Sequence, residues 1–425
     1  MAEAITLDVL AARRAATLER ATTRWSRLSF GAAVGFVVML YSNPMYWWPW
    51  FEQLRLAFVT MAICAAAVLA HRLTSGSPIR IGGPMGVPLL VYLAMFPVSL
   101  LWTIHVPSTE YAVFEALKMG VVYVGVQNAL DRPARLRTFL LLGALASLGP
   151  ALGGVWNWWM GEGLVEGYRT AWRGLYADPN RLAMSLVAIL PAALYGAVTS
   201  KRPARRLLFA GVAAAHVGAI VLTHSRSGAV AMAFAVALFL GRGKRKVAQA
   251  AVGAALVVGM VALAPSSFWA RSSTITEFDT DVSVQGRRHA WMVLDRIVEE
   301  RPFTGAGGGA FLASWARYAP LEAGGHRFVA HNILLETIGE LGVIAFLLLA
   351  SFVAVLLVKL WRAGTDPVIG PEARALFAGL AGYLVCEMAN GYSLSWFLYY
   401  LFAASAAAVH LAALRRALQA SNHAS

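Results

Sequence analysis

The chain has 425 residues, 59% of them hydrophobic and only 14% charged, where a soluble domain carries about a quarter charged residues. So little charge cannot cover a water-facing surface of this size, which excludes a soluble multidomain protein and leaves lipid as the main solvent. The formal charge of +14 awaits placement of the basic residues, while Cys64 and Cys386 both lie in apolar runs, which excludes a disulfide scaffold and a cysteine-ligated zinc site.

The first 26 residues are polar and helix-forming, with Arg13, Arg14, Arg20 and Arg24, and show no cleavable signal pattern. They are expected in the cytoplasm, either along the membrane surface or as a tail. Apolar stretches of about 17–25 residues suffice to cross a bilayer. Twelve such candidates follow, near 28–42, 55–71, 84–104, 111–130, 138–159, 182–199, 207–223, 227–241, 247–265, 332–358, 375–392 and 394–413. The expected organisation is an all-α polytopic membrane protein: spans one to nine within 27–265, a long outer loop over 266–331, spans ten to twelve within 332–413, and a tail over 414–425.

Orientation follows from the basic residues, which favour the cytoplasmic side. With the N-terminus inside, inner segments hold 23 of the 36 lysines and arginines against 6 of the 22 acids. Outer segments hold 12 basic residues and 12 acids. The basic excess is therefore the cytoplasmic signal, and nucleic acid is not needed as a partner. Both termini are expected inside.

In the long loop, Trp291, Leu294, Ile297 and Val298 recur at helical spacing against Arg288, Asp295, Glu299 and Glu300, so a helix is expected from Gln285 to Glu300. Arg301-Pro302 ends it. The run Gly305 to Gly309 and a short helical stretch from Ala310 to Tyr318 follow. The glycine run lacks the Lys-Ser or Lys-Thr of a nucleotide loop. Asp279-Thr280-Asp281 is a lone acidic pair, which points away from a metal site.

All twelve outer cations are arginines, which suits bidentate contact with phosphate. Arg181, in Asp178-Pro179-Asn180-Arg181, opens a span, and Arg226, in His224-Ser225-Arg226-Ser227-Gly228, sits at a tight outer turn. Arginine there works against the orientation rule, and phosphate binding, contact with lipid headgroups or pairing with a loop acid accounts for it. Arg287 and Arg288 read equally as binding residues or as a solvated helix face. His331 begins the tenth span, where the positive end of the helix dipole keeps an imidazole neutral and able to accept a proton. That makes it a candidate general base, with capping or lipid contact as the bland alternative. Glu336 and Glu340 share a face of the same span, where acids are costly and often functional, and pairing with Lys118 or a loop arginine is the structural alternative. His216 reads as a packed, hydrogen-bonded residue. Gly339 and Gly342 suit close helix packing.

Four segments in order carry a resemblance: Arg173-Gly174 through Asp178-Pro179-Asn180-Arg181; Ser225-Arg226-Ser227-Gly228; Arg288 with Trp291, leading to Pro302 and Gly305-Ala306-Gly307; and His331-Asn332 with Gly339 and Gly342. Over about residues 170–345 the chain resembles the O-antigen ligase and O-antigen polymerase superfamily. The resemblance implies a GT-C-like glycosyltransferase of the bacterial inner membrane with a periplasmic active site. It implies transfer of a glycan from undecaprenyl diphosphate, without metal or other cofactor. The ligase branch, whose acceptor is the lipid A-core oligosaccharide, matches best. Polymerases and protein glycosylating enzymes of the superfamily are the alternatives, and a transporter of lipid-linked sugar is the rival of another class. On this reading Arg226 and Arg288, with Arg181 and Arg173, bind the diphosphate. His331 deprotonates the acceptor hydroxyl, and a single displacement inverts the anomeric centre.

Overall fold

The structure, a computed structural model, describes residues 2–44, 53–241, 282–323 and 325–424. Among the described residues the regular structure is helical, with one isolated antiparallel bridge between Val165 and Arg169. The helices are α1 (Ala2–Ser42), α2 (Leu56–Ser75), α3 (Val87–Val98), α4 (Val106–Ala129), α5 (Pro133–Ala146), α6 (Leu148–Met160) and α7 (Pro179–Thr199). After them come α8 (Pro203–Leu222), α9 (Arg226–Gly241), α10 (Val282–Glu300), α11 (Phe311–Tyr318), α12 (Ile333–Ala363), α13 (Gly370–Asn390) and α14 (Trp396–Ala424).

Helices overlie eleven of the twelve expected spans; the ninth, 247–265, falls outside the described residues, as do Asp279 and Asp281. Among the described residues, seven helical segments are long and apolar enough to cross a membrane: Leu56–Ser75, Gly83–Leu101, Pro133–Met160, Pro179–Thr199, Pro203–Leu222, Ile333–Ala363 and Trp396–Asn422. Arg226–Gly241 is apolar but shorter. Helices α1, α4 and α13 have the length but are diluted by polar residues, such as Glu115, Lys118 and Gln127 in α4. The polar start and the first expected span form one helix, α1.

Proline in the first turn starts α4, α5, α7 and α8, where its missing N–H costs nothing. Side chains cap three helices that meet at one end of the bundle: His105 for α4, Asp178 for α7 and Asn332 for α12. The centre of the bundle is α7 and α14, largely buried, and large aromatics fill it. Tyr41 and Tyr400 share a hydroxyl hydrogen bond of 2.6 Å, and the Tyr176 hydroxyl donates to the Leu40 carbonyl at 2.8 Å. The outside exposes Leu73, Leu101, Phe114 and Leu207, apolar side chains that lipid accepts and water does not.

Helix α12 is broken at Gly342, whose φ of 81° and ψ of 178° leave the helix. The freed carbonyls find partners in the glycine run. Ala306 N–H donates to Gly339 O and Gly307 N–H to Glu340 O, both at 2.8 Å, while Val343 N–H donates to Pro302 O at 2.9 Å. A Cβ on Gly342 would lie 2.2 Å from the Phe303 carbonyl. Gly342 therefore admits a docked loop backbone, where close helix packing was expected. The loop helices α10 and α11 pack over this junction on their own core of Val293, Leu294, Ile297, Phe311 and Trp315. The expected helix over 285–300 lies within α10. Of its apolar stripe, Leu294 and Ile297 are buried, whereas Trp291 is exposed and donates to the Ala330 carbonyl at 3.3 Å.

Candidate active site

A cavity of about 750 Å³ opens where α4, α7, α12 and α14 begin and α13 ends. These are the ends expected on the outer side. Asp178 accepts the Arg181 backbone N–H at 2.9 Å, capping α7. This cap fixes the first turn, from which the Arg181 guanidinium reaches over the Tyr392 ring at 5.6 Å. Asn332 caps α12 by accepting from the Leu334 and Leu335 amides at 2.9 and 3.2 Å, and its Nδ2 donates to Met388 O at 3.3 Å. His331, one residue before that cap, adopts a left-handed φ of 52°, which a non-glycine residue holds only when its surroundings enforce it. Both Arg181 and His331 line the cavity.

The carboxylates beneath hold backbone. Glu340 accepts from Gly309 N–H at 2.8 Å and Phe311 N–H at 3.4 Å, tying the glycine run and the start of α11 to α12. Glu336 accepts from Ser393 N–H at 3.1 Å, and Glu387 from Tyr392 N–H at 2.9 Å. These fasten the α13–α14 turn, where Gly391 has a φ of 63°. Lys118 pairs with Glu115 and lies 5.8 Å from the Trp396 ring, so it does not pair with Glu336 or Glu340. Tyr111, Tyr392, Trp396 and Phe397 give the cavity aromatic walls.

Burial lowers the proton affinity of His331 below the ordinary histidine range, the nearby charge of Arg287 lowers it further, and Asp178 opposes both. The imidazole is thus held neutral by desolvation first. Arg287 is half-buried and donates to Ala389 O at 3.3 Å. Its neighbour Arg288 is exposed and does not line the cavity.

Arg226 and Arg173 also lie outside the cavity lining. Arg226 is the first residue of α9, and Arg173 is exposed with its guanidinium 5.3 Å from the Trp172 ring. Their segments are nonetheless joined to the site. Asn180 Oδ1 accepts from Ser225 Oγ and from Arg169 Nη2, both at 2.9 Å, so the turn before α9 is locked to the start of α7. Leu175, two residues after Arg173, lines the cavity. Arg169, one of the outer arginines, is buried and also donates to Thr223 O at 3.1 Å, so it is a brace between loops. His216 is buried with Nε2 2.8 Å from Ser147 Oγ, as its mid-span position implied. The contributions of Asp178, Tyr392 and His105 were not singled out from sequence. Their common signal is position, since each sits at an outer span end.

With that geometry in place, residues 210–350 match the family model for O-antigen ligase. The resemblance to the O-antigen ligase and polymerase superfamily stands. The matched segment runs from α8 through the broken helix α12 and contains His331, Arg226 and Arg288. The match points to a membrane enzyme of glycosyltransferase type, of a superfamily that in general works on lipid-linked glycans. The apolar helices accord with a membrane protein. No curated protein matches the chain.

Proposed function

We propose that the protein is an O-antigen ligase of the bacterial inner membrane. It moves a glycan from undecaprenyl diphosphate to the lipid A-core oligosaccharide on the periplasmic side. The observation that carries this reading is the shared cavity of His331 and Arg181, a neutral base and a fixed cation facing one space. In this mechanism His331 takes the proton of an acceptor hydroxyl while that oxygen attacks the anomeric carbon. The bond from that carbon to the diphosphate breaks, and the electron pair leaves on the diphosphate oxygen. Single displacement inverts the centre. Arg181 meets the diphosphate in the cavity, and Arg226, Arg288 and Arg173 extend positive charge around it. Charge grows on the leaving group, so cations aimed there favour the transition state over the bound donor. The twelve-span, GT-C-like layout with both termini cytoplasmic belongs to the same proposal.

Purified protein given an undecaprenyl-diphosphate-linked glycan and lipid A-core should yield the joined product with inverted anomeric configuration. A deletion strain separates the branches. Loss of all long-chain lipopolysaccharide with accumulation of lipid-linked polymer supports a ligase, whereas core bearing a single repeat unit assigns a polymerase. Transfer to protein assigns the glycosylating branch. Movement of lipid-linked sugar across the bilayer without any transfer would make the protein a transporter.

A further inference from the structure

The far end of the bundle carries a second feature. Helix α4 runs from the cavity at His105 to Asn128, some 36 Å for its 24 residues at about 1.5 Å each. At that far end Asn128 grips the backbone of Arg80, accepting from its N–H at 3.0 Å and donating to its carbonyl at 2.8 Å. Arg72, in the last turn of α2, is only 8% exposed. Its Nη1 donates to Ser77 Oγ at 3.0 Å, but its Nε and Nη2 are enclosed without a hydrogen-bond acceptor among the described residues. Nη1 of Arg80 is enclosed in the same way, and the two guanidiniums feel each other's charge.

Buried donors without acceptors are costly, and cationic ones more so. The carboxylate whose charge reaches both arginines is Asp131. It is already shared, with Arg132 Nε and Arg135 Nη1 each at 3.1 Å. Arg132 and Arg135 thus occupy the nearby carboxylate, and three N–H-bearing atoms of Arg72 and Arg80 stay enclosed without an acceptor among the described residues. We infer that Arg72 and Arg80 form a binding site for a phosphate group at the end of the bundle opposite the cavity. A phosphate offers several acceptor oxygens and negative charge together, which is what these two guanidiniums lack. Leu69, Leu73 and Ile79 are exposed beside them, so an acyl chain has apolar surface to lie on. The source is accordingly the headgroup of an acidic phospholipid, with free phosphate as the other source of the same chemistry. Basic pockets between spans on the cytoplasmic side are suited to such headgroups.

The test uses the full-length protein in detergent, with thermal unfolding followed as phosphatidylglycerol, phosphatidylcholine or inorganic phosphate is added. Phosphatidylglycerol should raise the melting temperature saturably and phosphatidylcholine should not. The Arg72→Gln/Arg80→Gln double variant should bind phosphatidylglycerol more weakly, by about fivefold for each arginine neutralised. If the double variant does not purify, Arg80→Gln alone serves, because Asn128 holds only the backbone of residue 80. A saturable response to millimolar inorganic phosphate, lost in the same variants, keeps the phosphate site and rejects the lipid as its source. Equal responses to phosphatidylglycerol and phosphatidylcholine, or a variant that responds like the wild type, would overturn the site and leave water as the partner of these N–H groups.

Discussion

The Arg287 guanidinium acts on His331 across the junction of α10 and α12, lowering the proton affinity of an imidazole already depressed by burial. Arg288, one residue further on, faces solvent. A helix turns about 100° per residue, so one of two adjacent arginines must turn away.

This relationship sets a pH profile. A base works in its deprotonated form, which is populated above its pKa. With the His331 pKa below about 6.5, the ordinary histidine value, the single-turnover rate should hold through neutrality and fall only on the acid side of that value. Arg287→Gln removes one lowering cause, so the acid limb should move to higher pH. Asp178→Asn removes the raising cause, so the limb should move lower. Rates measured across pH for the three proteins decide it, and superimposable profiles would remove His331 as the titrating base.

How much of this was legible in the sequence depends on which physical signal each feature leaves. Span positions were readable because apolar runs must match bilayer thickness, and α10 was readable from its 3.6-residue period. His331 and Arg181 could be found because a titratable or cationic residue at an outer span end is conspicuous. The pairing of Arg287 with the site was not legible, since the sequence shows two equivalent arginines and only the packing of Val293 and Leu294 fixes which one turns inward. Nor was the role of Glu340. A functional acid or one paired with a cation were the two readings, but its partners are the Gly309 and Phe311 amides, groups that every residue carries and no sequence pattern marks. Gly342 was visible as a small residue, while the loop that fills its missing side chain comes from a segment 30 to 40 positions earlier.

Gly342→Ala should therefore be more harmful than an ordinary glycine change. The added Cβ would meet the Phe303 carbonyl carbon and oxygen at 2.2 Å, at a φ of 81°. Strain of this kind costs about 1–3 kcal/mol, and the melting temperature should fall with it. Gly211→Ala, in α8, is the control, because its Cβ meets nothing within 4 Å. There alanine should be neutral or stabilise by about 0.5–1 kcal/mol, the usual gain over glycine inside a helix. Equal melting temperatures for the two variants would mean that the loop is not docked on the break.

Transfer should persist in EDTA, since in the proposed mechanism arginines supply the charge on the leaving diphosphate. The measurement is product formation after extensive chelation, with Mg²⁺ or Mn²⁺ added back. A strict requirement for the added ion would overturn the arginine-only site and return attention to Asp279 and Asp281.

The cavity residues should fail in two distinguishable ways. His331→Ala should abolish transfer while leaving donor affinity nearly intact, because a base acts on the acceptor proton and not on the diphosphate. Loss of general-base help typically costs about 10²–10⁴-fold in rate. Arg181→Ala should weaken donor binding and turnover together, since its contact strengthens as the leaving group gains charge. Arg181→Lys should recover only part of both, because a point charge keeps the attraction but loses the planar two-pronged geometry. Arg226→Ala, Arg288→Ala and Arg173→Ala probe cations outside the cavity lining, so each should cost less than Arg181→Ala. Donor affinity and single-turnover rate, measured on inserted and folded variants, separate these cases. If Arg181→Ala binds and turns over normally while Arg288→Ala does neither, the diphosphate sits against α10, and the cavity mouth at α7 serves the acceptor instead.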